Sequence, residues 1–132
     1  MSQENVEVVK GAYEAFARGG LDRYMDHFTD DVVYWTENQP QAGPIDGKDA
    51  VRAWLQDWID MFDGYWLEPV ELIDAGGDTV VAVERFGGRA RLSGIETEQI
   101  IGDVVTIRNG KIARGHEYPT REQALEAAGL SE

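Results

Sequence analysis

A chain of 132 residues without cysteine is the size of one domain, spanning residues 1–132, and has no means of making a disulfide, a thiolate metal site or a cysteine nucleophile. Its 12 lysines and arginines stand against 25 acids, a net charge of −13, which repels nucleic acids and anionic membrane surfaces. No apolar run approaches the ~20 residues of a membrane span, and the acidic start Met1-Ser2-Gln3-Glu4-Asn5 does not read as a secretion signal, so the expected location is the cytoplasm.

Val6, Val9, Tyr13 and Phe16 recur at helical spacing behind a capping Ser2, and Gly19-Gly20 predicts the end of that helix. A short second helix carries Leu21, Tyr24, Met25 and Phe28, and Val32 to Thr36 reads as a strand. Asn38 to Gly47 holds two prolines and two glycines and is expected to be a loop. From Lys48 a third helix presents Val51, Trp54, Leu55, Trp58, Ile59 and Phe62 on one side and stops at Gly64. Leu67 to Ile73, Thr79 to Arg85, Glu98 to Arg108 and Lys111 to Tyr118 read as strands. A last helix opens with Thr120 and Gln123 at capping spacing and closes at Gly129.

Helices first and hairpin-linked strands afterwards predict an α+β fold: a cone-shaped, strongly curved antiparallel sheet wrapped around three N-terminal helices, with a short C-terminal helix. A cavity is expected inside the cone. The chemistry-bearing residues gather on the last two strands, where Asn109-Gly110 between Val104, Val105, Ile107 and Ile112 is a strong hairpin signal. The two arms bring Asp103, His116 and Glu117 together. A two-residue turn would set Asp103 opposite His116. A three-residue turn with a bulge shifts the register by one and brings Asp103 and Glu117 to one face beside Ala113 and Gly115.

The order and spacing of several segments resemble the nuclear transport factor 2-like superfamily, in its SnoaL-like and ketosteroid-isomerase-like branch. They are Val8-Val9 to Phe16 with Gly19-Gly20-Leu21-Asp22, Phe28 with Asp30-Asp31-Val32, Gly47 to Val51, Asn109-Gly110-Lys111-Ile112, and the tail Arg121 to Leu130. The resemblance implies an acid/base carboxylate at Glu117 with Asp103 as its partner, as in polyketide cyclases, and it favours the bulged register. A ketosteroid isomerase has a carboxylate base where this chain has Thr36, and its tyrosine position matches Ala12, with Tyr13 one residue away; steroid isomerisation by that set is not expected. The arginine of limonene epoxide hydrolases falls near Ile101, which counts against epoxide hydrolysis.

The expected catalytic residues are therefore Asp103, its carboxyl raised by burial and acting as acid or hydrogen-bond donor, and Glu117 as base. Tyr34 and Thr36 share a face and are expected in the cavity wall. Trp54, Trp58 and Phe62 are core residues that also serve a pocket, and Trp66 is placed at its mouth. Tyr13, Val105 and Gly115 complete the pocket. His116 joins them only if the unbulged register holds, and otherwise lies on the outer face. Arg85 is a possible neutraliser of a buried carboxylate, its face undetermined. Two histidines without ligand spacing predict no metal, and no cofactor is expected. The expected function is a small-molecule pocket protein doing acid/base chemistry, of isomerase, cyclase or hydrolase type, on a hydrophobic carbonyl or ring compound. The alternative is a non-catalytic ligand-binding or dimerisation module, with Trp35 and Tyr118 on an outer sheet face that pairs two copies.

Overall fold

The computed structural model describes residues 2–38 and 43–130. Among them are three helices and six strands in one sheet, in the order α1 (Ser2–Met25), β1 (Phe28–Thr36), β2 (Ile45–Asp46), α2 (Lys48–Ile59), β3 (Phe62–Asp74), β4 (Thr79–Ala90), β5 (Glu96–Arg108), β6 (Lys111–Tyr118) and α3 (Arg121–Ala127). The sheet order is β2-β1-β6-β5-β4-β3, curved and unclosed, and the α+β class is as expected. No helix of the described residues is long and apolar enough to cross a membrane.

The sheet is mixed, not wholly antiparallel. β1 runs parallel to β6, with Tyr34 beside Gly115 and Thr36 beside Glu117. These strands lie at opposite ends of the sequence, so no hairpin constrains their direction. The two expected N-terminal helices are one element, kinked where Gly20 adopts φ 74° and ψ −158°, a conformation open to glycine. The side chain of Ser2, expected as a cap, lies outside the described residues, as does 39–42 of the expected loop. Phe28 opens β1 and Phe62 opens β3, so each falls just beyond the helix whose apolar stripe it extends.

α1 and α2 cover the concave face. Val9, Ala12, Leu21, Tyr24 and Met25 of α1 and Val51 of α2 pack with Phe28, Val32, Val80, Ala82, Val105, Ile107 and Ile112 of the sheet. α3 lies on the other face, where Ala124 and Leu125 bury Val81 and Val83. Thr120 caps it as expected, accepting from the Gln123 amide at 3.1 Å, and Gly129 at φ 79° closes it. β4 is thus apolar on both faces, a point that bears on the site.

Gly115 lets β1 and β6 hold an aromatic ring between them. A Cβ there would stand 2.2 Å from the Tyr34 ring. Gly115→Ala is expected to destabilise the fold by about 1–3 kcal/mol through overpacking, read as a lower urea midpoint; an unchanged midpoint would contradict this packing.

Candidate functional site

The hairpin resolves both alternatives in part. Asn109 (φ 53°) and Gly110 (φ 77°) form the two-residue turn that their types favour, and Arg108 pairs with Lys111. Three residues on, Thr106 pairs with Arg114 while Ile107 pairs with Ile112, leaving Ala113 as a bulge. The slip sets Asp103 directly opposite Glu117 and Val104 opposite His116. The expected pairing is present, and its bulge sits inside β6 with the turn left intact.

Asp103 and Glu117 are joined by a third carboxyl group. Glu84 on β4 faces the same cavity and is buried. Ala82 pairs with Asp103, so Glu84, two residues on, lies diagonal to it. Three neighbouring strands each contribute one acid. Like charges across a ladder are destabilising, and protons relieve the repulsion. Burial first, then the charges of Glu84 and Glu117, pushes the Asp103 carboxyl well above its usual range. Burial likewise lifts Glu84, to about 7, against the hydrogen bond that it accepts from Tyr13. Protonated Asp103 donates to Glu84, so the two share a proton. Oδ1 of Asp103 is buried without a hydrogen-bond partner among the described residues.

Glu117 is half-buried and held from β1. The Thr36 hydroxyl donates to its Oε1 at 2.6 Å and the Asn38 side-chain amide donates to the same oxygen at 3.2 Å. The Asn38 backbone N–H donates to Thr36 Oγ1 at 3.1 Å, which orients the hydroxyl. Thr36, at the position expected for a base, instead aims the carboxylate of the neighbouring strand.

The space above these groups has two parts. An inner cavity with about 40 Å³ of free space is lined by Glu84, Asp103 and Glu117 and by the rings of Tyr24, Tyr34 and Tyr65. Beyond it a recess of about 310 Å³ is lined by Thr36, Asn38, Trp54, Trp58, Phe86 and Glu117. Trp54, Leu55, Trp58, Phe86 and Glu117 border both, so the two adjoin. Burial, reinforced by the carboxylates, raises the phenols of Tyr24 and Tyr34 well above their usual range, so they stay protonated.

Of the expected pocket residues, Tyr34, Thr36, Trp54 and Trp58 line this space. Tyr13 lies beneath it, donating to Glu84. Val105 belongs to the core behind it, Gly115 backs the Tyr34 ring, and Phe62 packs edge-on against Trp58 at 5.2 Å. Trp66, expected at the pocket mouth, lies over Gly87 on the outer face, because the pairing of β3 with β4 slips between Asp63 and Trp66, and Tyr65 lines the cavity in its stead. His116 points outward, the place that goes with the bulged register, stacked between Trp35 at 6.1 Å and Tyr118 at 4.4 Å, with Glu37 at 2.6 Å. Arg85 turns outward to Glu68 and Glu98, so it neutralises none of the buried acids.

Glu84 is the residue that the sequence reading missed. It shares parity with Val80 and Ala82, but Val81 and Val83 on the other parity are equally apolar. The one available signal was an acid within an apolar strand, Val80-Val81-Ala82-Val83-Glu84.

Comparison with known proteins agrees with this architecture. No curated protein matches the chain significantly. A nuclear transport factor 2-like protein from Burkholderia thailandensis superposes with a TM-score of 0.74 at 25% identity, over 96% of this chain and 95% of that one. Another, from Burkholderia pseudomallei and of unknown function, gives 0.74 at 20% identity over 93% and 95%. A Mesorhizobium loti protein with the provisional description of a SnoaL-like polyketide cyclase gives 0.66 at 21% identity over 85% and 96%. Residues 9–115 match the SnoaL-like domain. With this sequence match, the curved sheet and the enclosed helices, the chain belongs to the SnoaL-like domain family.

Proposed function

We propose that the protein is an acid/base enzyme acting on a hydrophobic carbonyl or ring compound, with Glu117 as base and Asp103 as acid. The observation that carries this reading is the pairing of Asp103 with Glu117 across two strands, one carboxyl group buried and sharing a proton, the other held by two donors at the cavity edge. Such a difference in environment separates the roles of two like groups. Glu117 takes a proton from the carbon next to the carbonyl. The electrons of that C–H bond pass to the carbonyl oxygen, which receives the hydrogen bond of the Asp103 O–H as it turns from Glu84 to the substrate. Glu117 then returns the proton to carbon, so no atom is gained or lost beyond the rearrangement. Trp54, Trp58 and Phe86 supply the apolar wall that holds the body of the substrate.

Incubation with apolar ketones in deuterated water tests this: deuterium entering the carbon next to the carbonyl faster than in buffer is expected, and no acceleration across a panel would overturn it. In the same proposal the protein acts in the cytoplasm and two copies pair through the outer face that carries the Trp35, His116 and Tyr118 stack. Sedimentation is expected to show a dimer that Trp35→Glu dissociates; a monomeric wild type would contradict the pairing.

A further inference from the structure

Among the described residues, the inner cavity gathers three acids and no cation. None of the residues lining it or the outer recess is lysine, arginine or histidine, and the nearest arginine in sequence, Arg85, is engaged on the opposite face. Asp103 Oδ1 is buried, 5% of its residue being exposed, and has no hydrogen-bond partner among the described residues. A buried acceptor left so is costly, and a donor from a ligand relieves it. The rings of Tyr24, Tyr34 and Tyr65 line the same cavity, and aromatic rings together with carboxylates attract organic cations.

We infer that the ligand is an apolar amine whose ammonium head enters the inner cavity, donating to Asp103 Oδ1 and facing Glu84 and Glu117, with its hydrocarbon body against Trp54 and Trp58. The inference rests on the reading of this cavity as the ligand site and goes beyond the acid/base reading: the amine is a ligand that occupies the cavity in place of the carbonyl compound, since its head displaces the proton that Asp103 would donate. Size fits: about 40 Å³ of free space holds about three water-sized groups, enough for an ammonium head, while the recess of about 310 Å³ takes the body. Among the described residues no three acidic, histidine or cysteine side chains are arranged to hold a metal ion. The cation takes the place of the proton shared by Asp103 and Glu84, which leaves to solvent as the amine binds.

The titratable groups facing the head are Tyr24 from α1, Tyr34 from β1 and Tyr65 from β3, with Tyr13 of α1 beneath them on Glu84, all held protonated by burial, and the three carboxyl groups from β4, β5 and β6. Amine affinity therefore rises with pH as Glu84, raised to about 7, loses its proton. Calorimetric titration of the wild-type protein with cyclohexylmethylamine, cyclohexylmethanol and cyclohexanecarboxylate tests this. The amine is expected to bind at least about tenfold more tightly than the alcohol at pH 8, its affinity rising about tenfold from pH 6, with proton release, and the carboxylate is expected not to bind. Equal or tighter binding of the alcohol, or greater stabilisation by calcium or magnesium ions than by the amine, would overturn it. Ketone exchange without amine preference would remove this inference and leave the acid/base reading standing. Amine preference without exchange of any ketone would do the reverse.

Discussion

Glu117→Gln is expected to lower deuterium exchange into an apolar ketone by about 10²–10⁴-fold, the usual worth of a positioned base. Its amide keeps the size of the side chain and can still accept from Thr36 and Asn38, so the fold and the unfolding midpoint change little. Asp103→Asn is expected to cost about 10²–10³-fold, as loss of an oxyanion donor does. Its amide NH2 can still donate to the oxygen, so its effect is the smaller of the two. Ketone binding, read separately by calorimetry, is expected to survive in both variants, because the apolar wall of Trp54, Trp58 and Phe86 is untouched. Full exchange activity in both variants would remove the two residues from catalysis.

The second large effect is on stability. An acid whose carboxyl is raised in the folded state holds its proton there after the unfolded chain has lost it, so stability falls as pH rises. For Glu84 the window runs from its ordinary 4.5 to about 7, and the loss across it is roughly 3 kcal/mol. Asp103 is raised in the same direction and adds to the slope. In a chain of this size that corresponds to a melting temperature about 10 °C lower at pH 8 than at pH 5. Glu84→Gln removes the group that must lose a proton, so it is expected to flatten the profile and to be the more stable protein at pH 8. The exposed Asp31 and Glu71 are lowered by hydrogen bonds from Arg108 and Arg121 and act in the opposite sense, in the acid range below the window. A wild-type melting temperature that stays level or rises from pH 5 to pH 8 would contradict the buried acids.

Much of the fold was legible because its signals are local. Thr120 and Gln123 cap α3, Asn109-Gly110 turns the last hairpin, and the stripe Val51, Trp54, Leu55, Trp58 makes α2. What stayed hidden depends on long-range geometry. The parallel partnership of β1 with β6 joins strands that no turn connects. The Ala113 bulge has no marker residue, yet it decides that Glu117, and not His116, shares the cavity with Asp103. β4 carries apolar residues on both parities because α3 covers one face and α1 and α2 the other, so alternation could not reveal that Glu84 points inward. Trp66 misled for a related reason: the slip near Gly64 exchanges the faces of Trp66 and Tyr65. The site was thus legible as a hairpin of acids. Its third carboxyl group and its aromatic floor emerge only when six strands are assembled.

The central claim is that Asp103 and Glu84 share one buried cavity and hold a proton between them. Carbon nuclear magnetic resonance of the labelled carboxyl groups across pH tests it most directly. The account predicts that the Asp103 resonance remains that of a protonated acid at neutral pH and that Glu84 titrates near 7, the two curves moving together. Independent titration of both groups in the ordinary range near 4 would contradict it.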